Sequence, residues 1–136
     1  MLIETLLFLS MLSASGAPAA ETTPTPEEAA AGTLRSIISA QAYHKQKFPS
    51  VGYACDILTL VKADALVAEL AGGKVYGGYV FKVSCPKTSS PQPAYRASGT
   101  PAKEGAGLTF CTDESNALRS AKGDAAACFA KGTPVK

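Results

Sequence analysis

The segment from Leu66 to Arg119 most constrains what this chain can fold into, because strand-like runs alternate there with glycine and proline stops. Tyr79, Phe81 and Val83 alternate with Val80, Lys82 and Ser84, a period of two in β-favouring residues that Cys85-Pro86 closes. A strand is predicted at that place. Ala94 to Ser98 predicts a second, bounded by Pro93 and Pro101, and Leu108 to Thr112 a third after Gly105 and Gly107. The turn residues Asp113 to Asn116 then lead into a short fourth at Ala117 to Ser120. The expectation is a meander of three to four antiparallel strands, one face of which needs cover.

That cover comes from the N-terminal side. Leu34, Ile37, Ile38 and Ala42 recur near helical spacing, while Arg35, Ser39, His44 and Lys45 occupy other faces. They predict an amphipathic helix from Glu27 or Thr33 to Lys47, ended by Pro49. Asp56 is placed to cap a turn, and Leu66, Val67 and Leu70 predict a second, short helix over Lys62 to Leu70 that stops at Gly72-Gly73. The fold class is therefore α+β: an N-terminal amphipathic helix packed on the meander, with a short helix in the connecting segment.

The apolar run Leu6 to Leu12 and the small residues up to Ala19-Ala20 read as a secretory signal peptide at 1–20. About 13 apolar positions fall short of the roughly 20 needed to span a bilayer, so no stable membrane span is expected once the leader is removed. Residues 21–32, with Pro24 and Pro26, are expected as a flexible linker, and 33–136 as a single α+β domain. The formal charge is +2, with Lys and Arg scattered singly rather than in a basic stripe, so nucleic acid is not an expected partner. Aromatic residues make up only 7% of the chain, which predicts a thin core in need of crosslinks.

Cys55, Cys85, Cys111 and Cys128 all follow the leader, and an even number in a small exported domain favours disulfides and a periplasmic or extracellular location. Zinc sites bring ligands in close pairs, and these cysteines are far apart. Three pairings are possible; sequence neighbours favour Cys55 with Cys85 and Cys111 with Cys128.

No catalytic kit is apparent. His44 is the single histidine and is expected as a solvated helix residue beside Lys45 and Lys47. There is no Gly-x-Ser-x-Gly elbow, and paired cysteines are not nucleophiles. Asp113, Glu114, Ser115 and Asn116 gather oxygen ligands, but their spacing suits a hairpin turn better than a calcium loop. Gly72-Gly73 and Gly77-Gly78 are expected as turn glycines rather than a phosphate cradle. Arg119 and Asp113 are placed to brace the last hairpin, and most of Tyr43, Tyr53, Tyr76, Tyr79 and Tyr95 are expected to pack. Neither catalytic, metal nor cofactor-binding residues are assigned.

Leu66-Val67, Leu70-Ala71, Gly73, Gly78-Tyr79-Val-Phe81, Tyr95, Pro101, Gly107, Phe110, Asp113 and Leu118-Arg119, following Thr33-Leu-Arg-Ser-Ile-Ile-Ser-Ala-Gln, make an ordered pattern that resembles type IV pilin-like (pseudopilin-like) head domains. The resemblance is to small pilin-like proteins of acidobacteria and covers Thr33 to Ser120. The usual prepilin leader and long membrane helix of such proteins have no counterpart in the pattern. The resemblance implies a non-catalytic module with a structural or surface-interaction role in the cell envelope or in a filament or secretion system, partnered by other pilin-like or envelope proteins. The competing expectation is a small exported enzyme or ligand-binding protein whose site carries no recognisable motif.

Overall fold

The computed structural model describes residues 23–136, so the expected signal peptide and the start of the expected linker lie outside the described residues. Helix α1 spans Pro26–Lys47. It begins inside the stretch expected as linker because Thr25 caps it, its Oγ1 accepting from the Glu28 amide at 3.1 Å, and Pro26 occupies a first-turn position where an amide hydrogen is not needed. The buried stripe runs through Ala30, Ala31, Leu34, Ile37, Ala40, Gln41 and His44. Ile38 is only half-buried and Ala42 is exposed, so the stripe drawn from apolar residues alone is tilted off the true one.

After α1 comes α2, Ile57–Lys62, capped by Asp56 Oδ1 on the Thr59 amide at 2.7 Å. The helix expected over Lys62 to Leu70 does not form. Asp64 adopts φ 58°, and the Asp64 and Ala65 amides donate back to the Val61 and Leu60 carbonyls, a left-handed stop that ends the helix early. The chain bends at Leu66, Val67 is extended, and Ala68–Gly73 is a 3-10 turn broken at Ala71 and Gly72.

The strands are β1 Val75–Tyr76, β2 Tyr79–Ser84, β3 Arg96–Pro101, β4 Thr109–Asp113, β5 Arg119–Ala121 and β6 Thr133–Pro134, paired antiparallel in chain order as one six-stranded sheet. The expected meander is β2 to β5; the two-residue strands β1 and β6 extend it at its edges beyond the three to four expected. Gly77 and Gly78, both at positive φ, make the two-residue β1–β2 turn that matches strand twist. Phe81 lies opposite Gly99, where a Cβ would come within 2.6 Å of the ring, so the glycine makes room for the aromatic.

Strand alternation sorts the side chains into two faces. Tyr79, Phe81, Val83, Ala97 and Phe110 join Leu34 and Ile37 of α1 in the core. The other face carries Cys111, and there helix α3, Ala125–Lys131, packs over β4 and β5. This third helix has no counterpart among the expected elements, and it corrects the picture of a sheet covered on one side only. Asp124 caps it by accepting from the Ala127 amide at 2.9 Å.

Candidate functional site

All four cysteines are paired, Cys55 with Cys85 and Cys111 with Cys128. Two disulfides point to an oxidising, extracytoplasmic environment. No sulfur of these four is left as a nucleophile or ligand.

His44 occupies the last turn of α1 in register with Ile37 and Gln41, and that spacing turns it inward to 3% exposure. Its Nδ1 donates to the Gly52 carbonyl at 2.7 Å. The expectation of a solvated histidine is thus corrected: the ring is a strut between α1 and the connecting segment, and it lies against Phe48 with centroids 5.0 Å apart. One turn earlier, Gln41 is fully buried, its Nε2 donating to the Ala54 carbonyl at 2.7 Å and its Oε1 accepting from the Ala54 amide at 2.8 Å. The sequence signal for this inward-facing Gln41 is its place on the Ile37 to His44 stripe. The pair fixes Gly52 and Ala54 directly ahead of Cys55. Gly52, at φ 79°, backs onto Gln92, whose amide donates to Val51 and whose carbonyl accepts from Tyr53.

The Asp113 to Asn116 loop closes on itself. Asp113 Oδ1 accepts from the Ser115 amide at 2.9 Å and from its hydroxyl, and Oδ2 lies 3.6 Å from Arg119 Nη2. Asn116 takes φ 65° and donates its amide to the Asp113 carbonyl. Both carboxylate oxygens are therefore engaged by the turn and its brace, as a hairpin requires. Among the described residues no three His, Cys, Asp or Glu side chains are grouped to hold a metal ion. Gly72, Gly73, Gly77 and Gly78 all sit at positive φ in turns.

Of the tyrosines, Tyr79 and Tyr95 are buried and Tyr53 packs on Tyr95 at 4.9 Å, whereas Tyr43 and Tyr76 are exposed. Tyr79 donates its hydroxyl to the Leu108 carbonyl at 2.7 Å, and burial, then the Glu27 carboxylate, pushes its ionisation above the usual range. Burial pushes Tyr95 up much further, followed by Tyr53, Asp113 and Glu114. The Tyr95 hydroxyl has no hydrogen-bond partner among the described residues.

A groove of about 970 Å³ lies at the N-terminal end of α1 between Glu27, Glu104, Leu108, Lys122 and Asp124. Three carboxylates and one ammonium can orient a polar or cationic guest there. Neither His44 nor Asp113 lines it. No helix among the described residues is long and apolar enough to cross a membrane. No protein-family model, curated protein or solved structure matches this chain.

Proposed function

We propose that this chain is an exported, non-catalytic pilin-like module that acts through its surface in the cell envelope or in a filament or secretion system. The observation that carries the reading is that the side chains most suited to chemistry belong to the framework. His44 is spent on the Gly52 carbonyl and the four cysteines on two crosslinks. The element order supports it too: a long helix, a connecting segment with a short helix, then a meander, the order on which the resemblance to type IV pilin-like heads rests. Cell fractionation, non-reducing mass measurement and photo-crosslinking from exposed Tyr43 and Tyr76 test it together. The expected result is an oxidised product outside the cytoplasm joined to envelope proteins. A cytoplasmic product with free thiols would sink the reading.

The groove beside Glu27 favours a second reading, a small exported ligand-binding protein or enzyme. A small molecule that raises the melting temperature of the native chain but not of the Glu27→Gln, Glu104→Gln variant would establish it in place of the first.

A further inference from the structure

The turn that leaves α1 is a convex tip: every residue from Lys45 to Val51 is exposed. Its apolar side chains are large for such a position, with Phe48 36% and Val51 47% exposed and Tyr43 45% exposed one turn back. Two ammoniums rim it. Lys45 Nζ stands 4.8 Å from the Tyr53 ring centre, and Lys47 Nζ 5.5 Å from those of Tyr43 and Phe48. Among the described residues the one ion pair is Arg119 with Asp113, so no carboxylate there neutralises either lysine.

Part of the tip's backbone is satisfied from within. The Phe48 amide donates to His44, and the Val51 and Gly52 amides donate to Phe48, at 2.9 to 3.0 Å. Pro49 has no amide hydrogen, the Ser50 carbonyl accepts from Ser90 Oγ at 3.1 Å, and the Val51 carbonyl accepts from the Gln92 amide at 2.8 Å. The Ser50 amide and the Pro49 carbonyl have no partner among the described residues, so the turn suits the polar headgroup level, where they stay solvated, rather than the hydrocarbon.

We propose that this tip docks the folded domain onto an anionic lipid bilayer, Phe48 and Val51 entering the headgroup boundary while Lys45 and Lys47 meet lipid phosphates. Cations resting on aromatic faces at the rim of an apolar patch suit a boundary that is greasy below and anionic at the level of the charges. A protein partner would have to offer a cleft to a convex turn, whereas a bilayer receives a wedge without one. The inference rests on the exported, surface-acting reading and names the surface.

The chain contains no tryptophan, so Phe48→Trp installs a single reporter at the tip, and Leu58→Trp, on an exposed position of α2, serves as its control. Full-length protein is mixed with phosphatidylcholine vesicles with and without phosphatidylglycerol. Indole emission from the Phe48→Trp protein is expected to shift blue and to be quenched by acyl-brominated lipid only when phosphatidylglycerol is present. The Leu58→Trp protein should show neither change. Adding Lys45→Glu and Lys47→Glu to the tip variant should lower the partition coefficient about tenfold or more. All variants share one N-terminal segment, so binding through that segment would appear as a partition coefficient that the lysine changes leave alone, and that overturns the proposal. Equal binding to neutral vesicles overturns it as well. So does a tip reporter that responds to polyglutamate and not to vesicles, which would assign the tip to an acidic protein. None of these outcomes bears on whether the chain is exported and crosslinked to envelope proteins, which the fractionation decides.

Discussion

The two crosslinks close loops of different length in surroundings of opposite kind. Cys111–Cys128 ties β4 to α3 across 17 positions, and both residues are at 0% exposure. Cys55–Cys85 ties the connecting segment to the end of β2 across 30 positions, with Cys55 exposed and Cys85 half-buried. Chain entropy alone ranks the longer loop ahead, by about half a kcal/mol on a contribution of roughly 3 to 4 kcal/mol each. Burial ranks them the other way, because the sulfurs between β4 and α3 also fill space that nothing else fills. The connecting segment has a second set of ties, Gln41 on Ala54 and His44 on Gly52, that do not depend on sulfur. In the sheet layer a disulfide is part of the packing; in the connecting segment it reinforces a polar clamp.

Paired alanine substitutions separate the two accounts. Cys111→Ala with Cys128→Ala should cost about 5 kcal/mol in urea unfolding, and Cys55→Ala with Cys85→Ala about 3 kcal/mol. The reverse order would mean that loop length outweighs burial here. Thiol labelling of the native protein under dithiothreitol, read by mass, should find Cys55 and Cys85 opened first, since attack on the buried pair must wait for local opening.

The polar clamp is the next effect in size. Gln41→Leu keeps the volume but leaves the Ala54 amide and carbonyl buried without partners, at an expected cost of about 2 to 3 kcal/mol. Hydrogen exchange should speed up at Ala54 while the β2–β3 ladder stays protected. If both regions lose protection together, the connecting segment is not the separable unit that the comparison describes. Because the clamp and Cys55 hold the same stretch, Gln41→Leu combined with the Cys55, Cys85 pair should destabilise by more than the two costs added.

The same division governs what can be read from sequence. Strand β2 is legible because Tyr79, Phe81 and Val83 face one buried layer, so the period of two is clean. The pairing of all four cysteines is legible because neighbours along the chain also meet in space. The buried side of α1 is harder to draw because two of its positions, Gln41 and His44, are polar, although the spacing Leu34, Ile37, Gln41, His44 carries the true stripe. The place of α2 is obscured because its end is set by Asp64 in a left-handed conformation, and aspartate announces such a stop far more weakly than glycine. α3 does have a sequence signal, Asp124 ahead of an alanine run with Gly132 behind it, but so short a helix carries little periodicity. β6 has none: Thr133–Pro134 pairs with β5 only because α3, held by Cys128, delivers the chain there. The groove beside Glu27 draws on α1 and two loops far apart in the chain, and no local pattern encodes such a meeting.

The smallest effect probes the layer between the two regions, where Tyr95 packs under Tyr53. Its ring is fully buried and its hydroxyl unpartnered, so Tyr95→Phe removes a desolvated polar group and should stabilise the protein by about 1 kcal/mol at pH 7. The pH dependence has a definite sign. Burial raises the folded-state ionisation above the unfolded value of about 10, so the folded protein holds that proton more tightly. Stability tied to Tyr95 is therefore complete below about pH 10 and is lost as pH rises beyond it. Urea midpoints for the wild type should fall above that pH more steeply than those of Tyr95→Phe, which retains only the weaker alkaline response of Tyr79. A variant less stable than the wild type at pH 7 would show that an internal water satisfies the hydroxyl, and the seam between sheet and connecting segment would then be a hydrated joint rather than a dry one.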